Sequence, residues 1–132
     1  MSRYCLDTSA YSHYRRGGER VVETLDSAEW IGVPVVTLGE LRTGFLLGGQ
    51  SERNEAELRD FLSNPVVEVI QFDAEVSRHY AGIVVDLRRS GTPVPTNDIW
   101  IAAAAARAGA LVLTFDSHFE RIKRIGSLVL KP

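Results

Sequence analysis

Asp7 and Asp116 each stand immediately after a short apolar run, Tyr4-Cys5-Leu6 in one case and Leu111 to Phe115 in the other. Such runs read as buried strands. In open α/β sheets the site gathers at the carboxyl ends of the strands, so these two acids fall where chemistry is done. Asp98 heads an apolar helix beside Asn97, and Glu40 lies in a helix roughly opposite its apolar stripe. Carboxylates converging from strand ends and helix starts can hold a hard divalent cation through oxygen or take up a proton. Each also has a plainer reading. Asp7 before Thr8-Ser9 suits a helix N-cap, as does Asp98. Asp116-Ser117 suits a turn, and a Glu opposite an apolar stripe is ordinarily solvated.

The remaining chemical side chains form no second constellation. His13, His79 and His118 are scattered, and no two have metal-ligand spacing on one helix. His118, close to Asp116 in sequence, reads either as bordering the pocket or, more simply, as a surface histidine. Cys5 has no identifiable partner for a catalytic thiolate and reads as a buried strand residue. Gly17-Gly18 and Gly48-Gly49 lack the Lys-Ser/Thr of a phosphate loop and read as helix stops. Arg15-Arg16 reads as a solvated helix end.

Elements that would position the acids alternate along the whole chain. Strands are expected at Tyr4–Leu6, Trp30–Val36, Val66–Ile70, Leu111–Phe115 and Leu128–Leu130. Between them fall helical patterns. One runs from Ser9 to Arg16, a second from Glu19 to Ser27, and a third from Leu38 to Leu47 with Leu38, Leu41 and Phe45 in phase. The fourth is capped by Ser51 and carries Leu58, Phe61 and Leu62. Asp73 caps a long helix with the stripe Val76, Tyr80, Ile83, Val84 and Leu87. After the extended Pro93-Val94-Pro95-Thr96, Asn97-Asp98 starts the helix Ile99–Ala108, which is apolar nearly all round and so reads as buried. This order implies an α/β domain around a mainly parallel sheet.

Composition sets the frame. The 132 residues, 45% hydrophobic and 24% charged, suit a single globular domain spanning residues 1–132. One cysteine cannot make an internal disulfide, and no apolar run approaches the roughly 20 residues of a membrane span. The opening residues carry no leader signature, so the chain is read as cytoplasmic. The net charge is −2, which is unusual for a nucleic-acid binder. Its distribution is uneven, because after Trp100 Lys and Arg outnumber Asp116 and Glu120.

Four stretches together resemble PIN-domain nucleases, specifically VapC-type toxins of bacterial toxin–antitoxin pairs. They are Tyr4-Cys5-Leu6-Asp7-Thr8-Ser9, Val35-Val36-Thr37-Leu38-Gly39-Glu40-Leu41, Pro95-Thr96-Asn97-Asp98-Ile99-Trp100-Ile101-Ala102-Ala103 and Leu113-Thr114-Phe115-Asp116, followed by Phe119. They span nearly the whole chain in the family's order, the third being the most specific. Asp116, followed by Ser117-His118, falls at the family's most variable acid.

The resemblance implies a three-layer α/β/α fold, Mg²⁺ or Mn²⁺ as cofactor, RNA as substrate, an antitoxin that blocks the pocket, and a homodimer. It marks Asp7, Glu40, Asp98 and Asp116 as catalytic. Asp7, Asp98 and Asp116 are the expected metal ligands, directly or through water, and Glu40 would orient or deprotonate the attacking water. Thr8, Ser9, Asn97 and Thr114 would hold the carboxylates and bound waters. Arg121, Lys123 and Arg124 are candidates for phosphate contacts. Two other readings compete. An aspartyl phosphoacceptor or phosphatase would want a second Asp close by and a pocket Lys, whereas Lys123 and Lys131 come late in the chain. A non-catalytic PIN-like module, binding RNA or protein, would have kept the fold without the activity.

Overall fold

A computed structural model describes residues 2–132. Met1, the first residue of the expected domain span, lies outside the described residues. Five strands form one all-parallel sheet: β1 (Arg3–Leu6), β2 (Trp30–Pro34), β3 (Val67–Ile70), β4 (Leu111–Thr114) and β5 (Ser127–Val129). Their spatial order is β3-β2-β1-β4-β5. The chain therefore steps outward from β1 to β2 and β3, then returns to the other side of β1. A parallel crossover is almost always right-handed, so reversing direction puts the connecting helices on the opposite face.

The side chains bear this out. One core joins Leu6, Val33 and Leu113 to α1 (Thr8–Arg15), α2 (Glu19–Asp26), α3 (Val35–Leu47) and α4 (Ser51–Leu62) through Tyr11, Leu25, Leu41 and Leu58. The other joins Cys5 and Val112 to α5 (Ala74–Ser90) and α6 (Thr96–Ala108) through Ile83, Leu87, Ile101 and the buried run Ala102 to Ala105. Neighbouring strand residues thus feed opposite cores, as the two-residue period of a strand demands. The result is the expected three-layer α/β/α architecture. Among the described residues no helix is long and apolar enough to cross a membrane.

Several boundaries differ from the sequence expectation, each for a local reason. The strand expected to run to Val36 stops at Pro34, which occupies the N-cap of α3. Val35 and Val36 are β-branched and so read as strand, but they form the first turn of α3. There Thr37, fully buried, donates its hydroxyl to the Leu6 carbonyl at 2.9 Å. Ser51 does not cap α4. Gln50 holds that position without a side-chain bond, and Ser51 is the first helical residue. The helix α6 begins at Thr96 after Pro95, so Asp98 is its third residue rather than its cap. The last strand lies one residue earlier than expected.

The Thr37 bond ties the start of α3 to the end of β1, three residues before Glu40. Thr37→Val keeps the shape but leaves the Leu6 carbonyl without that donor. We expect a loss of about 1–2 kcal/mol, read as a lower denaturant midpoint at unchanged slope.

Candidate active site

The sheet reverses direction between β1 and β4, which pair in register from Tyr4 with Leu111 to Leu6 with Leu113. Ligands of open α/β sheets bind beyond the carboxyl ends of strands at such a switch point. Asp7 follows β1 and Asp116 follows the Thr114 that ends β4. The two acids read as strand-end residues are therefore neighbours across the crevice, and each one also fills its plainer reading. Asp7 does cap α1, accepting from Ala10 N–H at 2.9 Å. Asp116 does cap the 3₁₀ turn Ser117–Arg121, accepting from His118 N–H at 2.9 Å.

Asp7 is buried, with only 5% of its surface exposed. Ser9 Oγ lies 2.9 Å from both of its oxygens, and Thr114 Oγ1 donates to Oδ2 at 2.5 Å. Each of these hydroxyls accepts in turn from the β4 end. Phe115 N–H donates to Ser9 at 3.0 Å, and Asp116 N–H donates to Thr114 at 2.8 Å. Burial raises the Asp7 pKa. The bonds from Thr114, Ala10 and Ser9 oppose that rise, and the charge of Asp116 adds to it.

Glu40 approaches from α3. Thr8 Oγ1 donates to Oε1 at 2.6 Å and Asn97 Nδ2 donates to Oε2 at 3.2 Å, so α1 and α6 both hold it. A glutamate placed opposite the apolar stripe is thus turned inward rather than solvated. Asp98, one residue beyond Asn97, is largely enclosed. Burial, then the charges of Asp116, Asp7 and Glu40, push its pKa from the ordinary 3.8 up to about 6, with His118 pulling the other way. That list of neighbours shows all four acids gathered at one end of the sheet. The four supporting residues named from the sequence also meet them: Ser9 and Thr114 bind Asp7, while Thr8 and Asn97 bind Glu40.

His118 does border the pocket, while its side chain stays 38% exposed. The tight turn after Asp116 folds its ring back, placing Nδ1 2.9 Å from Asp116 Oδ1 and 3.7 Å from Asp98 Oδ2. Its spacing two residues after a strand-end acid was the available signal. The basic residues of the C-terminal third do not gather at the acids. Arg124 pairs with Asp86 on α5 at 2.5 Å and lies near Arg3, Leu111 and Gly126, where the strands begin. Arg121 donates to the Pro93 carbonyl and Lys123 to the Glu120 carbonyl. Arg15 is engaged by Glu57.

Comparison with known proteins matches this arrangement. The PIN domain family profile covers residues 4–125. The chain belongs to the PIN domain family, among the VapC proteins. Ribonuclease VapC5 of Mycobacterium tuberculosis is 32% identical over 126 residues, 93% of this chain and 90% of that protein. Ribonuclease VapC4 of the same organism is 41% identical over 91 residues, 69% of each chain. The structure of DNA-bound VapBC from Salmonella typhimurium superposes with a TM-score of 0.84 at 30% identity, covering 98% of both chains. In this PIN domain no Lys or Arg forms an ion pair with Asp7, Glu40, Asp98 or Asp116 among the described residues, and the only partner of that kind is His118. A set of oxygen donors with uncompensated charge is the chemistry a hard divalent cation fits.

The sign of the Asp98 shift gives a prediction for the metal-free protein. A carboxyl whose folded pKa is raised contributes stability that is fully present below about pH 4 and lost as pH rises through about 6. Asp98→Asn removes that loss, at the expense of a favourable charge in the first turn of α6. In chelator at pH 7.5 the variant should melt a few degrees above the wild type, and the difference should shrink steadily below pH 6 and close only near pH 4 and below. Equal melting at both pH values would mean that Asp98 carries no such penalty.

Proposed function

We propose that this chain is an endoribonuclease dependent on Mg²⁺ or Mn²⁺, the toxin of a toxin–antitoxin pair, acting in the cytoplasm as a homodimer. The observation that carries the reading is the cluster Asp7, Glu40, Asp98 and Asp116 at the sheet's switch point, without a Lys or Arg ion-pair partner among the described residues, in a chain whose relatives are named ribonucleases.

Asp7, Asp98 and Asp116 are the residues that would hold the metal. When bound, a divalent ion supplies charge neutralisation at a phosphodiester and acidifies a water. Asp7 is fixed by Ser9 and Thr114, so its charge stays in place and needs no reorganisation during reaction. Glu40 is aimed by Thr8 and Asn97 and retains free lone pairs on both oxygens, which suits it to accept a proton from the attacking water. Thr8 and Asn97 position it, and their loss would affect activity through Glu40.

Asp7 is a poor candidate for a phosphoacceptor. The pocket lysine such chemistry wants is not supplied by Lys123, which is turned to the Glu120 carbonyl. The partner is an antitoxin, as in the VapBC complexes that share this fold. Four acids offer such a partner a docking point for a cation, and Arg pairs with carboxylate through two bonds. Its insertion would exclude the metal.

The test is cleavage by the purified chain. RNA should be cut in Mg²⁺ or Mn²⁺ and left intact in chelator. Asp98→Asn and Glu40→Gln should each lower the rate by about 100-fold or more while melting cooperatively. Production of the wild type alone should arrest bacterial growth, and Asp7→Ala or Asp98→Ala should relieve the arrest. Undiminished cleavage by the Asp98 and Glu40 variants would mean that the acids are not the active centre. A folded wild type with no metal-dependent cleavage would point instead to a non-catalytic binding module.

A further inference from the structure

His118 is used neither by the fold nor by the reading above. Its Nδ1 is shielded from solvent and lies 2.9 Å from Asp116 Oδ1 without hydrogen-bond geometry to it, an arrangement uncommon for a buried polar atom. The ring does not reach that position by chance. Asp116 caps the turn by accepting from the His118 backbone N–H at 2.9 Å, and the next residue, Phe119, is fully buried. Those two anchors hold the imidazole against the carboxylates on either side.

The geometry points to a third donor. We propose that His118 Nδ1 is a nitrogen ligand of the divalent ion, beside oxygens of Asp98 and Asp116, and that it biases the site towards Mn²⁺ over Mg²⁺. This rests on the metal-dependent reading of the site. One donor atom from each of Asp98, Asp116 and His118 can be chosen so that all lie within 4.8 Å of one another. Adjacent ligands of an octahedral ion with bonds of about 2.1 Å stand roughly 3 Å apart. Nδ1 is 2.9 Å from Asp116 Oδ1 and 3.7 Å from Asp98 Oδ2, so the pocket is already near the edge lengths of such a polyhedron. As a ligand the imidazole would be neutral, with its Nδ1 lone pair towards the ion and the proton on Nε2. Mg²⁺ prefers oxygen donors, whereas an imidazole nitrogen suits first-row transition ions better. The rival role for His118 is a protonated counter-charge to the two aspartates, which would place N–H rather than a lone pair in the site and oppose a cation there.

The experiment uses the full-length chain loaded with Mn²⁺. Pulsed electron paramagnetic resonance should show a directly bound ¹⁴N nucleus, and that signal should vanish when the protein is grown on ¹⁵N-histidine. In parallel, melting is followed against Mn²⁺ and against Mg²⁺. His118→Ala should weaken Mn²⁺ by about tenfold or more and Mg²⁺ by clearly less, with metal-free melting showing that the variant folds. Stabilisation by Mn²⁺ with no ¹⁴N coupling in the wild type overturns the role of His118 and leaves the metal reading intact. Equal weakening of both ions by His118→Ala overturns the bias. Failure of both ions to stabilise the wild type at millimolar concentration overturns the ligand and the metal site together.

Discussion

A buried carboxylate is tolerable only where donors replace the water it has lost. Asp7 is the point on which this requirement falls hardest. Its donors come from three places: the backbone of α1 at Ala10, the side chain of Ser9, and Thr114 at the end of β4. Meeting that need fixes much else. The same hydroxyls accept the N–H groups of Phe115 and Asp116, so the chain leaving β4 is clamped to the chain leaving β1. The position of Asp116 thus follows from the solvation of Asp7. Through Thr37 and the Leu6 carbonyl, α3 is referred to the same strand end, and Glu40 follows one turn later.

The crowded acids receive a second kind of support from helix ends. Asp7 caps α1, Asp98 lies in the first turn of α6, and Asp116 caps the 3₁₀ turn. Each is near N–H groups without intrahelical partners, where negative charge is favoured by about 0.3–1 kcal/mol. That support is smaller than the penalty carried by Asp98, whose pKa stands at about 6. The site therefore retains a surplus of negative charge after the fold has done what it can. The run Ala102 to Ala105, fully buried against the sheet, lets α6 lie close and brings its N-terminus to the crevice.

Alternation of strands and helices, the apolar periodicity of α5 and the all-round burial of α6 were legible in the sequence because each depends on a local pattern. The strand-end placement of Asp7 and Asp116 was legible for the same reason. What a local pattern does not carry is which strand lies beside which. That β1 adjoins β4, so that Asp7 and Asp116 face each other, is a fact of topology. Glu40 illustrates the limit. Its helical phase alone makes it a solvated residue, and only the arrival of Thr8 from α1 and Asn97 from α6 makes it part of the site. Val35 and Val36 erred in the opposite direction, since their β-branching favours strand while Pro34 and the Thr37 bond impose a helix. His118 was left open between pocket edge and surface by turn geometry, because a side chain two residues past a strand end can fold back or point away.

The sharpest conflict between local and global preferences lies at the acid cluster. Caps, apolar stripes and burial all favour this fold, yet α6 presents Asp98 to three other acids with no Lys or Arg paired to it among the described residues. Consistency across levels is what makes a sequence foldable, and departures from it concentrate where function is carried out. A lysine at position 98 or 116 would relieve the repulsion and stabilise the metal-free chain. It would also remove the surplus charge that attracts a cation, and through it a phosphate, into a protein whose overall charge is −2. On the proposed reading, the acidic balance that made the chain look unlike a nucleic-acid binder would, at this site, be the means by which it acts on one.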